Sequence, residues 1–302
     1  MSRSRYTRLS HWLVALLILA PILTFASVAP VAAATLPPGF VDNLVVGVAT
    51  PTALAFTPDG RMLVTRQTGQ LMVYLGSDLQ ATALNLATPD LVCTNSERGL
   101  LGVAVDPAFA DNRTIFLYYT VKKSANCFNR VSSFVLPDNN TINLQTETVL
   151  LDNMPSPNGN HNGGDLNFGK DGLLYVSIGE GGVSSAARQL NILSGKILRI
   201  TRDGAIPSGN PYQGTGTARC NVNGQTTTGT KCQEIYATGL RNPSASASTR
   251  TPPAPASSST MSARTPGRRS TRANPGPTTA GTSAKASAPS TQPPTAAHPP
   301  PA

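Results

Sequence analysis

The chain is poor in the features that mark a helical or thiolate-metal protein. Only 5% of its 302 residues are aromatic and 13% are charged. Between residues 35 and 243, apolar residues almost never recur at helical spacing, which disfavours a mainly helical fold. The four cysteines show no Cys-x-x-Cys or His-Cys spacing, so the sequence predicts no cysteine metal site. No Phe, Tyr, Trp, Leu, Ile or Val follows Pro243.

Residues 1–34 have the order of a secretory signal peptide. Arg3, Arg5 and Arg8 precede an apolar run that begins at Trp12, and three alanines end the segment at Ala34. The run is short for a bilayer span of about 20 residues, which favours cleavage near Ala34 over an uncleaved anchor. We therefore expect a secreted or periplasmic protein with no stable membrane partner.

The positive charge of the chain lies at its two ends. The formal net charge is +9, from 24 basic and 15 acidic residues. Residues 1–34 and 244–302 hold nine of the basic residues and no acid, so the segment 35–243 is neutral. This distribution argues against nucleic acid as a partner of the body.

The four cysteines lie within the body and are predicted to be structural. Export would place them in an oxidising compartment, where pairing is expected. Sequence proximity favours the pairs Cys93–Cys127 and Cys220–Cys232 among the three possible connectivities.

The body, residues 35–243, reads as all-β. Short β-branched and aromatic runs alternate with Gly, Asn, Asp and Pro turns. Three segments, starting at Leu54, Val103 and Leu166, repeat the order strand, tight turn, strand. Their spacing is close to the roughly 40–50 residues of a propeller blade plus insertions. A β-propeller is the favoured architecture, and a β-sandwich is the alternative.

One stretch of the body carries candidate chemistry. Asn160-His161-Asn-Gly-Gly-Asp165 precedes a predicted strand, and Glu180 follows that strand within a Gly-rich turn. A histidine in a Gly-rich loop can approach a ligand closely and take a proton from a hydroxyl near neutral pH. Glu180 could hold the ring in one tautomer by accepting from its second nitrogen. The alternative is an ordinary histidine in a turn.

Further motifs give this stretch a family context. In chain order they are Glu97-Arg-Gly-Leu-Leu-Gly-Val-Ala-Val-Asp-Pro107, Gly195-Lys-Ile-Leu-Arg-Ile200, Asp203-Gly-Ala-Ile-Pro207, Asn210-Pro211 and Glu234-Ile-Tyr-Ala-Thr-Gly-Leu-Arg-Asn-Pro243. Together they resemble the soluble quinoprotein sugar dehydrogenases, or glucose/sorbosone dehydrogenases. The resemblance runs from about Leu36 to Pro243.

The resemblance implies a six-bladed β-propeller, here incomplete with about four blades, that oxidises an aldose-type sugar. It implies hydride transfer to pyrroloquinoline quinone (PQQ), with Ca²⁺ beside the quinone and a separate electron acceptor. His161 matches the family's general base, and Glu180 stands where the best-known members carry Asp. Arg241 and Asn242 match residues that bind the quinone oxygens. Glu97 and Arg98 are interpreted as a structural pair between blades.

The resemblance stops at Pro243, and residues 244–302 are predicted to be a disordered tail rich in Pro, Ser, Thr, Ala and Arg. Ser244 to Thr251 can be encoded so that one added T converts them into Phe-Arg-Phe-Gly-Phe-Asp-Pro-Asn, a family-like strand. Two later stretches convert in the same frame. We interpret the tail as a frameshifted translation, and a cell-wall stalk is the alternative.

Three functions follow from these observations. The first is a PQQ sugar dehydrogenase whose activity is impaired or lost, because the family's calcium turn and further blades do not follow Pro243. The second is a non-enzymatic extracellular propeller that binds a carbohydrate or a protein. The third is the inactive product of a decaying gene.

Overall fold

The computed structural model describes residues 36–88 and 90–245, together with the backbone of Asn274–Pro275. The predicted leader and almost all of the predicted tail lie outside these residues. The described chain divides into two units, residues 36–44 and the part that begins at Val45. No helix in the described ranges is long and apolar enough to cross a bilayer.

The larger unit is almost entirely β-structure. Its longest helical segments are a four-residue α-helix, α1 (Phe109–Asn112), and two 3-10 turns at Leu144–Thr146 and Ser184–Arg188. The strands are β1 (Pro51–Phe56), β2 (Arg61–Arg66), β3 (Gln70–Leu75), β4 (Asp78–Asn85), β5 (Leu100–Val105), β6 (Thr114–Lys123), β7 (Asn126–Val135), β8 (Thr148–Pro155), β9 (Gly163–Phe168), β10 (Leu174–Ile178), β11 (Lys196–Ile200), β12 (Thr217–Ala218), β13 (Lys231–Cys232), β14 (Ile235–Thr238) and β15 (Asn274–Pro275).

Three antiparallel sheets follow one another along the chain. Their strand orders are β1-β2-β3-β4, β5-β6-β7-β8 and β9-β10-β11-β14-β15. The first strands of successive sheets are in contact, β1 with β5 and β5 with β9. Sheets that meet through their first strands are the blades of a propeller. The predicted all-β propeller is confirmed, with three blades in the described residues where about four were expected.

The three repeated segments of the sequence form the first hairpin of each blade. In the first, the turn after Phe56 is closed by hydrogen bonds from Thr57 N to Arg61 O and from Gly60 N to Thr57 O. In the third, Gly169 N donates to Leu173 O. The strand-turn-strand pattern therefore has the period of the blades.

Strand β6 shows why neighbouring blades adhere. Leu117 and Tyr119 face a core shared with the first blade, whereas Phe116 and Tyr118 face a core shared with the third. All four side chains are at most 2% exposed. Alternate residues of a strand point to opposite faces, so this apolar run buries both sides of the central blade. Burying each such side chain contributes about 1.5–3 kcal/mol.

Both predicted disulfides are present. Cys93–Cys127 connects the segment before β5 to β7, and Cys220–Cys232 lies at the two-stranded parallel sheet of β12 and β13. The pairing that sequence proximity favoured is confirmed.

Candidate active site

The loop between β8 and β9, residues 156–162, is named the histidine loop and presents His161 with an unusual backbone conformation. Its φ is +54°, in the left-handed region that residues with a Cβ rarely adopt. The adjacent segment can pack closely against His161 because its residue there, Gly179, has no side chain. A Cβ built on Gly179 would lie 1.9 Å from the carbonyl oxygen of His161, so Gly is required at that position.

The structure brings His161 and Glu180 together as the sequence predicts. His161 Nδ1 lies 2.8 Å from Glu180 Oε1, and both side chains are buried. The carboxylate accepts from Nδ1–H, which assigns the neutral ring a lone pair on Nε2. Glu180 is itself fixed by its backbone N–H, which donates to Arg241 O at 2.9 Å. This arrangement can hold a base ready for one proton.

Arg241 and Asn242 follow β14. Arg241 contacts this region through its main chain, and Asn242 contacts it through its side chain. The Asn242 side chain joins the histidine loop, because its Oδ1 accepts from Gly163 N at 3.0 Å. Arg241 is exposed, and its carbonyl oxygen accepts from Glu180 N. An exposed guanidinium can bind an anionic ligand.

Below the histidine, Asn162 anchors the loop in the core. Its Oδ1 accepts from Ser156 Oγ at 2.6 Å and from Asn129 Nδ2 at 3.1 Å, while its carbonyl accepts from Tyr118 OH at 2.7 Å. Burial raises the pKa of the Tyr118 phenol well above its usual value, so the hydroxyl remains a donor.

Sequence reasoning missed one residue of this site. Glu97 was interpreted as paired with Arg98, but the two side chains bind different parts of the histidine loop. Glu97 Oε2 accepts from His161 N at 2.6 Å and from Asn242 Nδ2 at 3.3 Å. Arg98 Nε donates to Ser156 Oγ at 3.0 Å. Burial lowers the pKa of Arg98 below its ordinary value.

A second missed feature is the burial of Lys196, which begins β11. Its side chain is fully buried, and Nζ donates to the carbonyl oxygens of Ala186, Ala187 and Ser194 at 2.9, 3.0 and 2.6 Å. These carbonyls belong to the segment that follows Glu180. Burial lowers the pKa of Lys196 to about 7.

One group of potential metal ligands occurs among the described residues. Cys220, Cys232 and Glu234 lie together, but the two sulfurs form a disulfide and Glu234 accepts from Arg219 Nε at 3.0 Å. Bonded sulfurs offer no thiolate, so this group does not fit a metal ion.

Comparison with known proteins identifies the family. Residues 48–252 match the family described as Glucose / Sorbosone dehydrogenase. The chain belongs to the glucose/sorbosone dehydrogenase family. Aldose sugar dehydrogenase YliI of Escherichia coli is 34% identical over 196 residues, which are 64% of this chain and 48% of that protein. The chain thus spans about half the length of this curated relative.

Two solved structures of the same kind resemble this fold. A protein from Thermus thermophilus, described as a putative oxidoreductase (glucose dehydrogenase), superposes with a TM-score of 0.62 at 32% identity. The match covers 76% of this chain and 63% of that one. The PQQ-bound aldose sugar dehydrogenase of Streptomyces coelicolor gives a TM-score of 0.52 at 25% identity, covering 66% and 54% of the two chains.

Proposed function

We propose that the protein is a dehydrogenase that oxidises an aldose-type sugar hydroxyl, with PQQ as hydride acceptor. The observation that carries this proposal is the buried His161–Glu180 pair at 2.8 Å. With Nδ1–H held by Glu180, the lone pair on Nε2 would accept the proton of the sugar hydroxyl. The family assignment and the PQQ-bound structural relative support the same chemistry.

Polar residues of the loop between β8 and β9 and of the segment after β14 fit a quinone that carries carboxylates. Arg241 offers an exposed guanidinium, and Asn242 offers an amide already fixed beside the loop. Asn160 Oδ1 is buried and makes no hydrogen bond within the described residues, so a polar partner there is missing. When bound, PQQ would supply the two-electron acceptor. Arg241 and Asn242 would hold its oxygens, with Arg241 favouring the charge that develops on reduction.

Calcium remains an expectation from the family. The described residues contain no cluster of carboxylate ligands that would hold this ion near His161. We expect the chain to bind PQQ weakly, because we recognise few of the family's motifs after Pro243, although the family match extends to residue 252.

We also propose that the tail is a frameshifted translation and that residues 1–34 are a cleaved secretory leader. Resequencing the gene at the codons for Pro243 and Ser244 tests the first point. An unchanged frame would favour a genuine stalk. N-terminal sequencing of the exported protein tests the second, with a first residue near Thr35 expected.

The enzyme proposal is tested with the full chain, PQQ, Ca²⁺ and a panel of aldoses, by following reduction of an electron-accepting dye. His161→Ala should lower the rate at least about a hundredfold, as expected for loss of a general base, with little change in quinone affinity. Lys170→Ala, an exposed substitution on the turn between β9 and β10, is the control. Sugar binding that persists in His161→Ala without dye reduction by the wild type would favour the binding propeller instead.

A further inference from the structure

Glu97 touches the histidine loop at two points. Its backbone N–H donates to Gly159 O at 3.0 Å, and its carboxylate accepts from His161 N at 2.6 Å. Glu97, which lies in the segment before β5, therefore binds both ends of the turn Gly159–His161. The sequence separation is 64 residues, so the contact is tertiary.

Glu97 binds the loop at a residue whose backbone conformation is unfavourable. His161 has a left-handed φ of +54°, which a residue with a Cβ adopts only when its surroundings impose it. Its N–H is bound by Glu97, and its carbonyl accepts from Gly181 N at 3.1 Å. A carboxylate acceptor makes the first of these a charge-assisted bond, which is stronger than a neutral one.

The same carboxylate oxygen also orients Asn242. The amide oxygen of Asn242 faces Gly163 N at 3.0 Å, and its Nδ2 donates to Glu97 Oε2 at 3.3 Å. These two bonds define which end of the amide is oxygen and which is nitrogen. Glu97 thus fixes His161 and Asn242 relative to each other.

We propose that Glu97 is a positioning residue that fixes the position of the base His161 relative to the quinone-binding amide of Asn242. Its adjacent residue assists, since Arg98 binds Ser156 at the start of the same loop. The roles of His161 and Asn242 in this statement rest on the proposed function. The hydrogen bonds of Glu97 do not.

A purely structural role for Glu97 predicts a different result. Its side chain is exposed, so it could simply strengthen the junction between blades. Removal would then lower the stability of the whole chain and leave the local geometry at His161 unaltered. A positioning role predicts the reverse, a local change at the loop with global stability nearly preserved.

The test compares Glu97→Gln and Glu97→Ala with wild type, using Asp78→Asn as an exposed-charge control on β4. Hydrogen exchange of the His161 amide is measured by NMR in the full chain without quinone or sugar. We expect Glu97→Ala to speed this exchange at least about tenfold, while Glu97→Gln keeps much of the protection through its amide oxygen. The long-range ¹H–¹⁵N spectrum of the imidazole should report an Nδ1–H ring in wild type and a mixture of tautomers in Glu97→Ala.

Unchanged exchange and unchanged ring signals in Glu97→Ala would overturn the proposal. So would a uniform rise in exchange across all blades, because it indicates a structural role alone. If Glu97→Ala does not fold, Glu97→Gln decides the matter, since loss of the carboxylate must move the His161 amide proton upfield. No such movement refutes the contact.

A separate titration with PQQ distinguishes the positioning role of Glu97 from the proposed function. If wild type binds the quinone, Glu97→Ala should weaken binding several-fold through Asn242, and Asp78→Asn should not. If wild type does not bind it, the proposed function fails, and the exchange and imidazole results still decide whether Glu97 positions His161.

Discussion

Replacement of Lys196 by Met should change how the stability of the protein depends on pH. The Lys196 side chain is fully buried, and its ammonium is held by carbonyl oxygens of Ala186, Ala187 and Ser194 rather than by a carboxylate. Met has a similar length and no charge. The substitution therefore removes the titrating group while keeping most of the packing.

The size and sign of the effect follow from the pKa. Burial lowers the pKa of Lys196 from 10.5 to about 7. Between these values the unfolded chain binds the proton more tightly, so the free energy of unfolding rises with pH by up to about 1.4 kcal/mol per pH unit. The full contribution, about 5 kcal/mol, is present above pH 10.5 and is lost as the pH falls to 7. The carbonyl bonds favour the ammonium and make this figure an upper bound.

The assay is urea unfolding of wild type and Lys196→Met at about pH 6.5, 8 and 9.5, with the disulfides intact. The free energy of unfolding of wild type minus that of Lys196→Met should increase from each pH to the next. Lys170→Met, at an exposed position, should give a constant difference. A difference for Lys196→Met that does not change between about pH 7 and 9.5 would refute the reasoning.

Three further perturbations test the fold around the site. Replacing Cys93 and Cys127 by Ser opens a 34-residue separation and should lower the free energy of unfolding by about 4 kcal/mol, measured by urea titration. Gly179→Ala places a Cβ 1.9 Å from the carbonyl of the candidate base, so it should cost more than about 2 kcal/mol. Gly47→Ala, whose added Cβ would have no atom within 4 Å, should cost far less in the same urea titration. Tyr118→Phe removes a buried 2.7 Å hydrogen bond and should cost about 1–2 kcal/mol, and an unchanged midpoint would contradict that contact.

The sequence predicts the blades because their signals are local. Each repeated segment contains its own turn residues, such as the Asp59-Gly60 pair that closes the hairpin of β1 and β2. The pair His161 and Glu180 was also predictable. The two residues flank one hairpin, so antiparallel pairing of β9 and β10 returns the chain to the same edge.

The remaining parts of the site depend on contacts that no spacing encodes. Glu97 binds the backbone N–H of His161, a group that every residue except proline carries, so the sequence offers no sign of it. Because lysine is charged, Lys196 is expected at the surface. Its burial depends on three backbone carbonyl oxygens of the segment after Glu180, which accept hydrogen bonds from its ammonium group. In both cases the partner is main chain, and its direction is set only by the folded blades.

The hydrogen bond between Glu97 and Asn242 joins residues 145 positions apart and has a consequence for folding kinetics. Loop closure over such a distance is entropically costly, so this contact forms only after the intervening blades have paired their strands and docked. The histidine loop therefore acquires its final geometry late. Refolding followed through the His161 amide should lag behind refolding followed through the amides of β6 and β7.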